Sequence, residues 1–289
     1  MNEGLKKFDH VINEFWSDPE HFVSFMNAHL FGGSRLIKKE DLVIQSRKIK
    51  NIERDVVMRW DSAYGTYYLG IENQLNEDYS MPFRVLKYDF LWYQKQMDAL
   101  AKKHDKEKDL RNEAFISKMQ PDEKIIPCIT IVIYYGEHFW KGNKDLYDLF
   151  INTNEHVNNY PMRLVELCKD STVYDNDEIN LVFEASRLMI QEGKDVVKLK
   201  YFQSLSKEVA MVIASMVKNK RLFDIVVKKE KEVVNMCESL DRWEKEIEKE
   251  TLLKMVKEML EKGLSEEFIL SFANINKRVL NQAKELILS

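Results

Sequence analysis

The sequence has few cysteines, glycines and prolines, and each scarcity excludes a class of protein. The three cysteines, Cys128, Cys168 and Cys237, are far apart and form no CxxC pair. This excludes a disulfide framework or a zinc ribbon and fits a reducing compartment. With 9 glycines and 5 prolines among 289 residues, the chain is neither collagenous nor of low complexity. We therefore expect a globular cytoplasmic protein.

The sequence also lacks long apolar runs and a strong charge of one sign. The longest apolar run, residues 125–135, is too short to cross a bilayer. The first residues lack the apolar segment of a signal peptide, so we expect no membrane partner. The formal net charge of −4 argues against a protein that coats nucleic acid. It does not exclude a nuclease, because active-site carboxylates offset basic patches elsewhere.

Several common catalytic motifs are missing as well. The sequence contains no GxxxxGK[ST] or GxGxxG phosphate loop, no GxSxG nucleophile turn and no HExxH metal motif. Its 6 histidines show no metal-ligand spacing. Nucleotide-dependent, serine-hydrolase and zinc-protease chemistry therefore have no support, and any catalytic site has to come from other residue types.

Hydrophobic periodicity predicts an α/β protein. Residues 6–30 have helical spacing, broken where Ser17 or Asp18 can cap a second helix that starts at Pro19. Residues 125–135 are β-branched and continuous, which is typical of a strand buried on both faces in the middle of a mixed sheet. The remaining predicted elements of this part are strands at 55–60, 66–74 and 162–167 and a helix at 82–100.

We predict a mixed sheet flanked by helices in residues 1–172, followed by an all-helical C-terminal extension. The extension comprises residues 173–235 and a charged tail, residues 236–289. In the tail, a heptad-like seam predicts contact with a partner or a second copy of the chain, or a helix packed on its own domain. Residues 266–288 resemble two short helices, and a helix-turn-helix that reads DNA would place Asn274 in its turn. We therefore favour a small dimer-packing element for this segment. The seam consists of Met236, Leu240, Trp243 and Ile247.

Three polar residues on the predicted strands suggest chemistry. Glu72 and Gln74 point the same way because strand periodicity is two, and a hairpin can bring Asp55 beside Glu72. Two adjacent carboxylates repel unless a cation lies between them, and Mg²⁺ prefers such oxygen ligands. The alternative is that both acids are solvated residues on an exposed sheet face. A basic stretch, residues 34–54, predicts either a solvated loop or a rim that faces phosphates.

Four blocks of the sequence form an ordered set: RDVV at 54–57, LGIENQ at 69–74, DYSMPFRVLKY at 78–88 and IPCITIVIYYG at 126–136. Together they resemble the recombination-promoting nuclease / putative transposase family of the PD-(D/E)XK nuclease superfamily. The similarity continues in VNMC at 234–237 and LEKGLS at 260–265. The resemblance implies a restriction-endonuclease-like fold and Mg²⁺- or Mn²⁺-dependent DNA cleavage.

The resemblance also implies roles for individual residues. Asp55 and Glu72 would be the metal ligands, and Gln74 stands where the superfamily usually has a lysine. An amide can orient water but cannot accept its proton. Arg84, with Tyr88 one turn away, would contact substrate phosphate; alternatively, Arg84 pairs with Glu72 or Asp55 and holds the helix to the sheet.

A third acid on the first helix is common in the superfamily, and Glu14 is the candidate here. Family members often carry an aspartate where this chain has Ser24. The leading hypothesis is a metal-dependent DNA endonuclease linked to recombination, mobile elements or defence against foreign DNA. The alternative is a weak or inactive nuclease-fold scaffold that binds DNA or another protein.

Overall fold

In a computed structural model of the chain, residues 3–49, 52–63, 65–192, 200–272 and 275–288 are described. The chain forms two compact units, Met1–Gly193 with Met211–Lys220, and Lys194–Ala210 with Arg221–Ser289. These limits differ from the predicted divisions at 172/173 and 235/236. In the first unit the helices are α1 (Glu3–Ser17), α2 (Pro19–Phe31), α3 (Met81–Glu107), α4 (Asn112–Ser117) and α5 (Asp177–Glu192). Its strands are β1 (Leu42–Ile44), β2 (Lys48–Ile49), β3 (Ile52–Glu53), β4 (Val56–Ser62), β5 (Gly65–Gln74), β6 (Cys128–Tyr134) and β7 (Arg163–Glu166).

The first unit is built on a mixed five-stranded sheet with the order β1-β4-β5-β6-β7. Strands β1, β4 and β5 are antiparallel, and β5, β6 and β7 are parallel. The β4–β5 ladder runs from the Ser62–Gly65 pair to the Val56–Ile71 pair. The mixed sheet is confirmed, and β6 lies inside it between β5 and β7. The middle strand, however, is β5, whose C-terminal half is buried on both faces.

Helices cover both faces of this sheet. On one face Met81 and Val85 of α3 pack against Val132 and Tyr134 of β6. On the other face the Trp16 indole of α1 donates a hydrogen bond of 2.7 Å to the hydroxyl of Tyr135. Since alternate residues of a strand point to opposite faces, the two helices sandwich the sheet.

Local signals explain where α2 begins and ends. The Asp18 carboxylate accepts hydrogen bonds from the backbone N–H groups of Glu20 and His21, and Pro19 occupies the first turn. Gly32 ends the helix in the left-handed conformation at φ 58°. The predicted second helix at Pro19 is confirmed, and its cap is Asp18.

The second unit is mostly helical. It is not all-helical, as the sequence had predicted for the C-terminal extension, because it also contains two short strands. Strands β8 (Leu205–Ser206) and β9 (Val233–Val234) pair with each other. The pairing supplies hydrogen-bond partners for backbone N–H and C=O groups that lie outside the helices. The helices of this part of the chain are α6 (Lys207–Met216), whose residues are divided between the units, α7 (Lys220–Val227), α8 (Met236–Glu261), α9 (Glu266–Leu270) and α10 (Lys277–Leu288).

The second half of α8 packs on its own unit. Val256 joins Ile269, Ile275, Leu280 and Ala283 in a buried cluster. For this half of α8, the packing is that of a helix on its own domain, which is one of the alternatives predicted for the tail. In the N-terminal seam Met236 and Leu240 are buried, whereas the Trp243 side chain and Asn274 lie outside the described residues. None of the described helices is long and apolar enough to cross a membrane.

Candidate active site

A polar cleft of about 670 Å³ opens where β5 ends and α3 begins. It is lined by Asp55, Asn73 and Gln74 from the β4–β5 region, by Arg84 from α3 and by Asp9 from α1. Side chains from both faces of the sheet therefore meet at one end of it, which is the place where the sequence predicted a catalytic site.

Asp55 lies directly before β4, half-buried, and is held by the neighbouring strand. Its Oδ2 accepts the backbone N–H of Asn73 at 2.6 Å, and its Oδ1 accepts the Asn13 amide of α1 at 3.4 Å. Burial raises the pKa of Asp55, although these hydrogen bonds oppose the shift. The hydrogen bond from the Asn73 N–H therefore holds the Asp55 carboxylate against β5, one residue beyond Glu72.

Glu72 is almost completely buried, with 1% of its side chain exposed. Burial, and after it the charge of Asp55, raises the pKa of Glu72 to about 8. The two predicted acids therefore interact electrostatically, as expected if the hairpin brings Asp55 beside Glu72. Glu72 is not on an exposed sheet face, so that alternative is wrong for this residue.

The counterion of Glu72 is Arg54. The Arg54 Nε donates to Glu72 Oε1 at 3.0 Å, and Nη1 donates to Asp89 Oδ1 of α3 at 3.2 Å. Nη2 donates to the Thr130 hydroxyl at 2.5 Å, and the Tyr160 hydroxyl donates to Asp89 Oδ2 at 2.6 Å. A buried, hydrogen-bonded network thus connects the candidate site to α3 and β6.

Gly70 makes room for this arginine. A Cβ atom at position 70 would lie 2.5 Å from Arg54 Nη2. The glycine in the LGIENQ block therefore has a packing reason: any side chain there would collide with the guanidinium group.

Asp9, and not Glu14, is the acid that α1 brings to the cleft. Burial, and then the charge of Asp55, raises the pKa of Asp9 to about 6. Glu14 is exposed and lies 4.0 Å from His10. The prediction of Glu14 was wrong in helical phase: Asp9 is one turn from Asn13, which contacts Asp55, whereas Glu14 lies on another face.

Arg84 reaches the cleft from the first turn of α3. Its Nη1 lies 2.6 Å from Asp78 Oδ2 and 3.5 Å from Gln74 Oε1, and its Nη2 donates to the Tyr88 hydroxyl at 3.1 Å. The ion-pair partner of Arg84 is thus Asp78, not Glu72 or Asp55 as the alternative had it. Tyr88 is buried, so it contacts Arg84 from the interior of the protein.

The basic stretch is not a plain loop. It forms β1, β2 and β3, and it places Arg47 beside the cleft acids. The Arg47 Nη1 donates to the backbone carbonyl of Asp55 at 3.2 Å, and Nη2 lies 3.6 Å from Glu53. One cation of the predicted rim therefore lies at the site.

A second cluster of acids surrounds His104 near the end of α3. In the described part of the chain, His104, Glu107 and Asp109 form the one group of three potential ligand atoms that all lie within 4.8 Å of one another. Asp109 and Glu123 each approach a different ring nitrogen at 2.8 Å. A neutral imidazole has only one N–H, so this geometry requires a protonated histidine. We name His104, Asp109 and Glu123 the histidine clasp.

Sequence reasoning missed Arg54, Asp89 and Asp9. Arg54 stands directly before Asp55 in the RDVV block, and its position next to a predicted ligand was a signal that we did not use. Asp89 follows Tyr88 in the helix that we had predicted, but nothing local indicates that it faces a buried arginine. Asp9 could have been found by its helical spacing from Asn13 and Trp16.

Comparisons of the chain with protein-family models, with curated proteins and with solved structures found no match.

Proposed function

We propose that the chain is a metal-dependent DNA endonuclease with a restriction-endonuclease-like core. The observation that carries this proposal is the interaction among three acids: Asp9 and Asp55 line the cleft, and, after burial, the charge of Asp55 raises the pKa of Asp9 and of the buried Glu72. Such perturbed acids are typical of sites that hold a cation or transfer protons. Three of the four family-like sequence blocks, those at 54–57, 69–74 and 78–88, contribute residues to the lining of the cleft.

The acid set suits Mg²⁺ or Mn²⁺. Both ions prefer oxygen ligands, and Mg²⁺ sites in particular combine one or two carboxylates with water and substrate phosphate. Asp9 and Asp55 line the cleft and repel each other, so a cation would remove an unfavourable interaction. Arg54 occupies Oε1 of Glu72, so Oε2 would be the atom that binds. A bound divalent ion would polarise a phosphodiester and stabilise the charge that develops on it.

The remaining residues have separate tasks in this proposal. Gln74 lines the cleft and orients a water molecule for attack, since its amide cannot accept a proton. Arg84 neutralises the charge of the substrate phosphate and is itself positioned by Asp78 and Tyr88. Arg54 is a positioning residue, because it contacts Glu72 and not the cleft.

The second candidate function is a nuclease-fold scaffold without cleavage. The observation that favours it is the ion pair between Arg54 and Glu72, which occupies one oxygen of a proposed ligand. In that case the cleft would still bind DNA phosphates through Arg84 and Arg47, but Mg²⁺ would change nothing.

Plasmid cleavage separates these two functions. Purified protein should nick or linearise supercoiled plasmid with Mg²⁺, and EDTA should stop the reaction. Asp55→Asn should lower the rate by at least about 100-fold, because a lost metal contact removes several kcal/mol of transition-state stabilisation. Glu72→Gln should do the same while keeping the volume of the side chain.

Glu14→Gln is the matched control, since it makes the same change on an exposed residue of α1. It should cleave like the wild type, whereas Asp9→Asn should be impaired. Full cleavage by a folded Asp55→Asn variant would assign the activity to a contaminant. DNA binding without cleavage in the wild type would favour the scaffold.

A further inference from the structure

Beside the cleft, α3 and the turn before it expose aromatic rings that the proposed chemistry does not use. Tyr79, Phe83 and Phe90 are 62%, 54% and 54% exposed. Phe83, the exposed Lys87 and Phe90 follow one another at positions i, i+4 and i+7, so they lie along one face of the helix. We name these four residues the aromatic ledge.

The ledge is continuous with the cleft. Tyr79 lines the cleft itself, and Phe83 lies next in sequence to the cleft residue Arg84. The backbone at Tyr79 is held in place, because the Asn143 amide donates to its carbonyl oxygen at 2.8 Å. The exposed Tyr79 ring is therefore attached to a fixed stretch of backbone at the cleft.

The composition of the ledge indicates the chemistry of its occupant. Exposed rings stack on nucleobases, and an interleaved lysine attracts the phosphates between them. In a duplex the bases are stacked on one another and their faces are hidden, so these rings would find no partner. A ledge of alternating rings and positive charge therefore favours an unpaired strand.

We propose that the aromatic ledge binds the unpaired bases of single-stranded DNA and leads that strand into the cleft. This inference rests on the proposed nuclease function and adds the substrate class to it. The enzyme then acts on single-stranded DNA or on unpaired segments of duplex DNA in preference to intact duplex.

Binding can be measured apart from cleavage. The full-length chain with Asp55→Asn is titrated onto labelled oligothymidylate and onto a labelled duplex, with anisotropy as the readout. Adding Phe83→Ala and Phe90→Ala should raise the Kd for the single strand at least about tenfold, since base stacking contributes on the order of 1–3 kcal/mol per base. The Kd for the duplex should not change.

Phe115→Ala is the matched control, because Phe115 is as exposed as Phe83 but lies on α4. It should leave both Kd values unchanged. An unaltered single-strand Kd in the ledge variant, or an equal loss for duplex, overturns the ledge. Tighter binding of oligouridylate than of oligothymidylate overturns the assignment to DNA.

The outcomes also separate this inference from the function on which it rests. Wild-type protein that cleaves with Mg²⁺ and binds a single strand without help from the ledge overturns the ledge alone. Wild-type protein that neither cleaves nor binds any DNA overturns both. Because the substituted rings are exposed, thermal unfolding should show the same midpoint for all variants and exclude misfolding as a cause.

Discussion

The protein contains two groups of carboxylates that differ in how their charge is balanced. In the histidine clasp, Glu123 accepts the N–H of Gln120 and contacts His104, and both interactions lower the pKa of Glu123. In the cleft, burial raises the pKa values of Asp9 and Asp55, and the charge of Asp55 raises that of Asp9 further. The clasp is arranged to stabilise the fold, whereas the cleft keeps like charges together at a cost in stability.

The difference indicates which of the two groups is functional. Carboxylates that are fully paired have no capacity left for a ligand, while carboxylates that repel each other gain free energy when a cation binds. Proteins tolerate such repulsion mainly at sites of function. His104 and Asp109 of the clasp, together with Glu107, satisfy a simple distance criterion for a metal site, but both ring nitrogens of His104 are already engaged.

The largest change in stability is expected from Arg54→Met. The substitution leaves Glu72 and Asp89 buried without their counterion, which should lower the free energy of unfolding by about 3–5 kcal/mol. Urea unfolding of the metal-free protein measures this. Arg47→Met, at a half-exposed arginine near the same acids, is the control and should cost about 1 kcal/mol or less. Equal costs for both would show that the buried network contributes little.

A divalent cation should stabilise the cleft and leave the clasp unaffected. At 100 times its Kd, Mg²⁺ should raise the free energy of unfolding by about 2.7 kcal/mol. The increase, measured by thermal unfolding with Mg²⁺ against EDTA, should disappear in Asp55→Asn and remain in Glu123→Gln. The reverse pattern would move the cation site to His104 and contradict the proposed ligands.

Removal of one repelling charge should stabilise the metal-free protein slightly. We expect Asp9→Asn to raise the free energy of unfolding by up to about 1 kcal/mol, since Asp9 is half-buried and its interaction with Asp55 is partly screened. Glu14→Gln should have no effect. Destabilisation by Asp9→Asn would mean that this acid has a favourable partner in the folded protein.

The smallest effect is the pH dependence of the clasp, because solvent screens its carboxylates. The hydrogen bonds to Glu123 and then to Asp109 raise the pKa of His104 in the folded protein above its unfolded value of about 6.5. The stabilisation is therefore complete below about pH 6.5 and decreases as the pH rises through the folded-state pKa. The difference in unfolding free energy between wild type and His104→Gln should shrink accordingly. A difference that does not vary with pH would show that His104 is neutral.

Much of the sheet and part of the cleft could be predicted because their signals are periodic. The alternation in β5 places Glu72 and Gln74 on one face, and hairpin pairing brings Asp55 to the same end. These inferences need only neighbouring residues and the regular spacing of strands. The sequence blocks around Asp55, Glu72 and Arg84 indicated the same residues independently.

The network behind the cleft could not be predicted, because it depends on contacts between distant segments. Arg54 meets Asp89 and Thr130 only after α3 has crossed the sheet and β6 has paired with β5. Its place also depends on the missing side chain of Gly70, which a strand pattern treats as a weak position. The choice between Asp9 and Glu14 required the phase of α1 relative to the sheet, which periodicity within one helix does not give.

Because the Asp55 carboxylate accepts a hydrogen bond from the Asn73 N–H, the register of the β4–β5 hairpin determines where the acids of the cleft lie. From the Ser62–Gly65 pair to the Val56–Ile71 pair, the ladder carries the alignment set at the turn over about 20 Å to the acids. A single-residue slip would send Glu72 to the opposite face and separate it from Asp55. The register set at the hairpin turn thus determines the spacing of the acids. One residue inserted at that turn should therefore abolish the proposed cleavage activity, although no residue of the cleft is changed.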